Sequence, residues 1–501
     1  MESQTMDKFQ LPDVNGLLVT ADNPARADLS GMDHPRCAAL HNYLVHYAWA
    51  AEGGDPASLR SNHGTFFVMH GAAAGEVRQR IDASVVAFLE AAIVPPSPAD
   101  TNSPCPPFFF WAEGLSDPEE LFANDTADLY DRSADSLLCL YRHGQGGESG
   151  GGLFYDQDHH RAAVFMHMDD HGFAMPIEEH QELWHPLETI LSNWIDLLHM
   201  GKIVASPTDA PSIYDTEKFG PWEWRPYSEA QVASCMLSWD RLCSAIEARM
   251  AVTLPHLFST STSSTTTAVE AEAQPLLEPS TLDEASVPDP SFARAFLTRA
   301  RRPCFRYIGP GIILPSANAA EFAAVQAFTR LPRSPRAVPP VCLFPADTGG
   351  DTELTEWSKF HFAGFSSSPP DPSAPTQAPA GIYSEPVDRT VNEIAEEGFR
   401  LLLPYALLGD GTMDDDVGAR LSDGSWIQGG EVADLFQHGY KPFGGETYRA
   451  QRLERLLDHW REMIEGGIWS VGPKGVVGTI DNFKQADNTD HWMEYRISPT
   501  W

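Results

Sequence analysis

Three glutamates lie within five residues of one another: Glu178, Glu179 and Glu182, with His180 among them. No lysine or arginine occurs within fifteen residues on either side, so the local sequence supplies no positive partner. Clustered carboxylates suit an ammonium group, a guanidinium group or a metal ion. A histidine beside them can move a proton near neutral pH. These four residues are therefore candidate catalytic residues.

The elements that must position these side chains are two predicted helices. The stretch 175–199 has the apolar spacing of buried helices, but Pro186 divides it, because a proline inside a helix removes a backbone hydrogen bond. The sequence predicts a short helix at 176–184 and a longer one at 186–200. Gly201 follows the second helix, where glycine commonly ends a helix.

A purely structural explanation of the acids also exists. Glu178 and Glu179 fall in the first turn of one predicted helix and Glu188 in that of the other, where the helix dipole favours negative charge by about 0.3–1 kcal/mol. Glu182 fits this explanation less well. On a helix it would face the same way as Glu178, and like charges at that spacing are destabilising.

A second constellation follows a predicted strand at 161–168. His167 and Asp169 alternate along the chain, so both would lie on one face of an extended strand. Six histidines could supply a third ligand: His159, His160, His171, His180, His185 and His199. Two histidines and one carboxylate are the ligand set of non-haem iron oxygenases. The alternative is a polar strand end that leads into a loop.

The third feature is a run of bases, which we call the arginine segment (residues 294–336). It contains eight arginines, no lysine and one acid, Glu321, and aromatic residues lie between the arginines. Arginine suits phosphate contacts, and aromatic rings suit base stacking. A solvated charged surface is the alternative. The candidate substrate-binding residues are Arg294, Arg299, Arg301, Arg302 and Arg306.

The composition is that of a globular protein of 501 residues, with 42% hydrophobic residues. The net charge of −36 repels nucleic acid except where bases gather. Seven cysteines without a CxxC pair argue against a disulfide framework or a structural zinc site. We find neither a signal peptide nor 18 consecutive apolar residues, so we expect a cytoplasmic protein with no membrane partner.

Strands and helices alternate along most of the chain, which predicts an α/β fold, a mixed sheet with flanking helices and two low-complexity surface insertions. We expect five parts along the sequence. They are an α/β part with the acidic motif (34–258), a disordered insertion (259–290), a basic α/β segment (291–365), a Pro/Ser-rich insertion (366–380) and a C-terminal helical part (381–501).

Two segments resemble the fungal arginine-containing cyclodipeptide synthases: AMPIEEHQELWHPLETILSNWIDLLHMGKI (174–203) and NFKQADNTDHWMEYRISPTW (482–501). The family is similar in carrying an Asp-Asp-x-x-Glu motif needed for activity. The matching positions here are Glu178, Glu179 and Glu182, so both aspartates are replaced by glutamates. The longer side chains keep the charge but move each carboxylate outward by about one methylene group.

The resemblance implies a synthase that joins an arginyl group and a second aminoacyl group into a cyclic dipeptide. Both groups would arrive on tRNA, as arginyl-tRNA and a second aminoacyl-tRNA. Because an aminoacyl ester is already activated, we expect neither a cofactor nor a catalytic metal. The carboxylates would hold the guanidinium, a carboxylate or His180 would take the amine proton, and the arginine segment would hold tRNA.

Two alternatives remain open from the sequence. One is a non-haem iron oxygenase that uses His167 and Asp169. The other is an acidic, non-enzymatic scaffold whose glutamates bind a basic partner.

Overall fold

The fold is described from a computed structural model. The described residues are 11–55, 57, 59, 61, 64–95, 108–122, 135–143, 151–167, 170, 174–212, 218–253, 274–331, 333–363, 375–390, 393–408, 418–427, 429–440, 443–445 and 450–499. No helix among them is long and apolar enough to cross a lipid bilayer.

The chain forms two compact units. The first comprises Met1–Arg225, Tyr440–Thr447 and Pro499–Trp501, and the second comprises Pro226–Gly439 and Tyr448–Ser498. The first unit therefore takes most of its residues from the N-terminal part, and the second takes the arginine segment. The boundary at 225 differs from the one expected at 258, because the long helix after it packs in the second unit.

The first unit holds four helices and eight strands within its described residues. The helices are α1 (His34–Ala51), α2 (Phe66–Val77), α3 (Ala83–Ala91) and α4 (Leu187–His199). The strands are β1 (Gly64–Thr65), β2 (Ile93–Val94), β3 (Ala112–Leu115), β4 (Leu137–His143), β5 (Gly152–Asp156), β6 (Arg161–Phe165), β7 (Ile203–Ala205) and β8 (Trp222–Trp224).

The largest sheet of this unit has the order β3-β4-β5-β6, and every neighbouring pair is antiparallel. Alternate residues of a strand face opposite sides, so Phe154 and Tyr155 point to different faces. Phe154 packs with Phe165 and with Trp184 of the segment that follows β6. The acidic motif is therefore carried on one face of this sheet.

An aromatic cluster supports the helix that follows the acidic motif. Trp194 of α4 stacks on Phe109 with ring centroids 4.7 Å apart, and its indole N–H donates to the carbonyl of Phe443 at 2.8 Å. Burial of such large rings contributes most of the favourable free energy of a core. Gly201, at φ 67°, ends α4 in the left-handed conformation that glycine tolerates.

The second unit alternates short helices and strands around a larger core. Its helices are α5 (Glu229–Thr253), α6 (Pro279–Glu284), α7 (Phe292–Arg299), α8 (Ala319–Ala324), α9 (Glu356–Ala363) and α10 (Leu453–Glu465). Its strands are β9 (Tyr307–Gly309), β10 (Ile312–Ile313), β11 (Ala337–Val338), β12 (Cys342–Pro345), β13 (Asp351–Glu353), β14 (Gln377–Pro379), β15 (Gly381–Ser384), β16 (Val387–Asp388), β17 (Phe399–Leu402), β18 (Val471–Gly472) and β19 (Gly475–Val476).

The predicted α/β class is confirmed. The sheets of the second unit are small: β12-β15-β17 is antiparallel, and β10-β9-β19-β18 is mixed because β9 and β19 run parallel. Helices α5 and α10 pack against each other beside them. The described strands form no closed barrel.

The two predicted insertions differ in part from the structure. Within the insertion expected at 259–290, residues 279–284 form α6 and Leu282 is buried, while 259–273 lie outside the described residues. Of the insertion expected at 366–380, Gln377–Pro379 forms β14, and 366–374 lie outside the described residues. In both places a few apolar residues among prolines and serines are enough to join the core.

The C-terminal part expected to be helical at 381–501 is instead mixed. It contains β15 to β19 together with α10. Residues 399–402 fall in this part but form strand β17, all four of them buried. A short apolar run such as Phe-Arg-Leu-Leu fits a buried strand as well as a helix, and sheet pairing with β15 decides between them.

Candidate functional site

The turn between β5 and β6 holds a buried carboxylate against an imidazole. Asp156, the last residue of β5, is fully buried, and its Oδ1 accepts the backbone N–H groups of Asp158 (3.0 Å) and His159 (2.7 Å). The ring Nδ1 of His159 lies 2.9 Å from the same oxygen. Since a carboxylate only accepts, Nδ1 carries the proton, and the orientation of the ring is fixed.

The other nitrogen of His159 meets the acidic motif. Its Nε2 lies 3.1 Å from Oε1 of Glu178, whose side chain is 62% exposed. Because both neighbours of the ring are carboxylates, this contact requires a second proton, on Nε2 or on Glu178. We call Asp156, His159 and Glu178 the relay. It joins a buried carboxylate to a solvent-facing one through a single imidazole.

The acidic motif lies on what we call the acidic turn (residues 176–184). The helix predicted there is wrong: the segment makes consecutive turns, with bonds such as Glu179 N–H to Pro176 O at 3.2 Å and Leu183 N–H to His180 O at 3.0 Å. The four-residue helical spacing of the glutamates therefore does not place them on one face. Glu178 and Glu179 are exposed, whereas His180 and Glu182 are partly buried.

Two anchors explain why the acidic turn does not continue as a helix. The indole N–H of Trp184 donates to the carbonyl of Ala174 at 2.8 Å. His185 then pairs with Ala162 of β6 through backbone bonds of 2.7 and 2.9 Å, which requires extended chain. Nε2 of His185 donates to the carbonyl of Glu182 at 2.9 Å, and burial lowers the pKa of this histidine. His185 therefore has a structural role: it fixes the end of the acidic turn against β6.

The longer predicted helix is confirmed as α4, but its first acid is not a surface residue. Glu188 is buried, and burial raises the pKa of its carboxyl group. The thiol of Cys37 donates to Glu188 Oε2 at 3.5 Å, and burial raises the pKa of that thiol as well. Glu188 is therefore a core residue, and not a helix-dipole acid facing solvent.

The proposed iron ligands can be followed only in part. Asp170 Oδ2 accepts the backbone N–H groups of Met166 (2.7 Å) and His167 (3.1 Å), which closes the turn after β6. Asp169 and His171 lie outside the described residues. Within the described part of the chain, no group of three or more His, Cys, Asp or Glu residues is arranged to hold a metal ion.

The candidate arginines of the second unit contact carboxylates of their own unit. Arg301 donates to both oxygens of Glu247 (2.9 and 3.1 Å) and to Asp240 (3.1 Å), and both acids belong to α5. Arg294 pairs with Asp283 at 2.6 Å. The side chains of Arg294 and Arg301 are only 12% and 27% exposed, so these two arginines are largely built into the fold.

The remaining three candidates differ in exposure. Arg302 donates to two backbone carbonyls, and burial lowers the pKa of its guanidinium. Arg299 pairs with Glu229 at 2.7 Å and Arg306 pairs with Asp347, but these arginine side chains are 40% and 53% exposed. Exposed pairs are worth only about 0–1 kcal/mol, so Arg299 and Arg306 can exchange their partners for another anion.

Two features escape sequence reasoning. Asp156 and His159 become a pair only because a tight hairpin brings residues three apart face to face, and the available signal was an Asp-x-x-His shortly before the strand predicted at 161–168. In the second unit, Arg400 is buried and makes a bidentate pair with Glu385 (2.9 and 3.2 Å) and a bond to Asp434 (3.2 Å). Nothing in the sequence connects these distant residues.

Comparisons with protein-family models, with curated proteins and with solved structures found no match for this chain.

Proposed function

We propose that this chain is a tRNA-dependent synthase that forms an arginine-containing cyclic dipeptide from two aminoacyl-tRNAs. The observation that carries the proposal is the relay, in which exposed Glu178 meets an imidazole held by buried Asp156. Of its three residues, Glu178 lies within the segment that resembles the fungal synthases, and Asp156 and His159 precede that segment. The proposal places the chain in the cytoplasm, where aminoacyl-tRNAs are made and used.

The acidic turn supplies what recognition of arginine requires. A guanidinium prefers paired carboxylate oxygens, and exposed Glu178 and Glu179 belong to one turn. The neighbouring sequence carries no lysine or arginine, so the acidic turn has a local excess of negative charge that suits a cationic substrate. The arginyl group would bind here through its guanidinium or its α-ammonium group.

The relay supplies the proton transfer. When the side chain of Glu178 moves to a substrate, the second proton of the relay passes to solvent. His159 then keeps a proton on Nδ1 and has a lone pair on Nε2, and this nitrogen takes the proton from the α-ammonium. Buried Asp156 then stabilises the resulting imidazolium. The neutral amine attacks the ester carbonyl of the second aminoacyl group, the ester C–O bond breaks, and the first tRNA leaves with a proton.

The same chemistry repeated closes the ring. The amine of the dipeptidyl ester attacks the remaining ester carbonyl, and the second tRNA leaves. No oxidation or reduction occurs in either step. Of the five candidate arginines, Arg299 and Arg306 are the most exposed, so the proposal assigns tRNA contacts to them rather than to Arg301.

Production of a new compound in a heterologous host tests this proposal. Cells that express the chain are expected to accumulate an arginine-containing diketopiperazine detectable by mass spectrometry. Cells that express Glu178→Gln are expected to make at least about tenfold less, whereas the exposed Glu353→Gln control in β13 makes the normal amount. If the wild-type chain makes no such compound, the synthase proposal fails and the acidic scaffold is favoured.

Metal content distinguishes the proposed synthase from the oxygenase alternative. The synthase needs no redox centre, so elemental analysis of purified protein is expected to find no stoichiometric iron. About one equivalent of iron, lost together with activity in His167→Ala, would favour the oxygenase instead.

A further inference from the structure

The first unit contains a cavity of about 370 Å³ that the proposed chemistry does not use. It lies between α1, the middle of α2, β2 and the strands β3 and β4. Arg142, at its mouth, pairs with Gly152, whereas Asp156 of the relay pairs with Leu137, five residues away along β4. At about 3.3 Å per residue, this puts the mouth about 16 Å from the relay. The cavity is therefore a separate site.

The interior of the cavity is apolar. Val45, Ala48 and Trp49 come from α1, Ile93 comes from β2, and Phe108 closes one side. Cavities of about 300–1,000 Å³ with walls of this kind are typical small-molecule sites. A flat ring or a branched aliphatic group would be buried here, with the favourable free energy of apolar burial.

The buried histidine of the cavity lining, His41, adds no charge. His41 Nε2 lies 2.9 Å from the carbonyl of Ile93, so this nitrogen donates, and Nδ1 accepts the hydroxyl of Tyr141 at 2.9 Å. Burial lowers the pKa of His41 to about 4, and its ring stacks on Phe108 at 4.6 Å. A neutral imidazole with both nitrogens satisfied forms part of the apolar wall.

The mouth of the cavity carries an excess of negative charge. Arg142 is surrounded by three carboxylates: its Nη1 lies 3.3 Å from both Asp117 and Glu120, and its Nε lies 3.8 Å from Glu113. His70 Nδ1 lies 3.8 Å from Asp117. One guanidinium cannot neutralise three carboxylates, so the mouth favours a cation over an anion.

We propose that this cavity binds a small organic cation, with an aromatic or branched aliphatic body inside and an ammonium or guanidinium head at Glu113 and Asp117. Charge at the mouth selects the head, and the apolar chamber selects the body. The inference does not depend on the synthase proposal, since it uses none of the relay residues.

Calorimetry with the purified full chain and simple probes tests the inference. Phenethylamine, as its ammonium ion, is expected to bind saturably with a dissociation constant on the order of 1 mM, a range typical of small fragments. Ethylamine lacks the ring and 3-phenylpropanoate reverses the charge, and each is expected to bind at least about tenfold more weakly. Equal binding of phenethylamine and 3-phenylpropanoate would overturn the assignment of a cationic head.

Charge reversal at the mouth gives the sharper result. Glu113 is exposed, so Glu113→Lys is expected to fold normally, weaken phenethylamine about tenfold and strengthen 3-phenylpropanoate. Glu353→Lys, an exposed site in the second unit, is the matched control and leaves both affinities unchanged. Ala48→Phe, which fills the chamber, abolishes binding if its melting temperature shows that it folds. Unaltered affinities in Glu113→Lys, or phenethylamine binding that survives in folded Ala48→Phe, would refute the site.

Discussion

The acidic turn concentrates negative charge and the arginine segment concentrates positive charge. The two regions differ in how far their charged side chains are exposed to solvent. Glu178 is largely exposed, and its carboxylate pairs with the imidazole of His159. Arg301 is largely buried between two carboxylates of α5. The carboxylate of Glu178 is thus accessible to other molecules, whereas the charge of Arg301 holds elements of the second unit together.

The largest effect is expected where the arginine segment is most buried. Arg301→Glu places three acids together at a site 27% exposed and should lower the free energy of unfolding by about 3 kcal/mol. Arg299→Glu, the control, faces one exposed acid and should cost less than about 1 kcal/mol. Urea unfolding of both variants measures the difference. Similar values for the two would show that the segment is a uniform charged surface.

A second prediction concerns how burial sets the charge of an imidazole. The pKa of His41 is lowered to about 4, so the folded state favours its neutral form. The stability from this group is fully present above pH 6.5 and is lost as the pH falls towards 4, by about 3 kcal/mol in total. His41→Gln cannot titrate, and its unfolding free energy should fall less steeply across that interval. Parallel curves for the two proteins would contradict the burial argument.

The third prediction separates the three glutamates of the acidic turn. Glu178→Gln, Glu179→Gln and Glu182→Gln should each reduce product formation at least about tenfold, or about 1.4 kcal/mol in transition-state stabilisation, with the fold intact. Glu178→Gln should be the most severe, since it also removes the partner of His159. Product yield and melting temperature are measured together. Full activity in all three variants would make the turn a structural feature only.

The smallest effect is expected for tRNA. Each phosphate contact contributes about −0.7 to −0.9 to the slope of log K against log salt, and we expect roughly three to six contacts in all. Reversal of Arg299 and Arg306 to glutamate should flatten this slope by about two contacts. Arg241→Glu, an exposed arginine paired with Asp458, is the control and keeps the slope. If the double variant binds tRNA as the wild type does, tRNA contacts other residues or does not bind.

The parts of the fold that the sequence predicts are those with long periodic patterns. Helix α4 follows from its apolar spacing, and Gly201 ends it as expected. The helix predicted at the acidic turn is wrong because the backbone pairing of His185 with β6 requires extended chain there. The helical prediction fails at strand β17 because a short apolar run fits a helix and a strand equally well.

The residues of the candidate site also divide into those that the sequence reveals and those that it does not. Glu178, Glu179, Glu182 and His180 are visible from local charge alone. Asp156 and His159 are not, since their pairing depends on the geometry of a hairpin. The partners of Arg301 lie in another helix more than fifty residues away in the chain, and no local pattern reveals them.

The central claim is that the relay moves the proton in a tRNA-dependent condensation. Its most direct test is the reaction of purified chain with arginyl-tRNA and a mixture of other aminoacyl-tRNAs, with the cyclic dipeptide measured by mass spectrometry. Wild type should form the product, and His159→Asn should form it at least about tenfold more slowly at neutral pH, recover in part at higher pH and melt at the same temperature. Product formed by His159→Asn at the wild-type rate, or no product from the wild type, would contradict the claim.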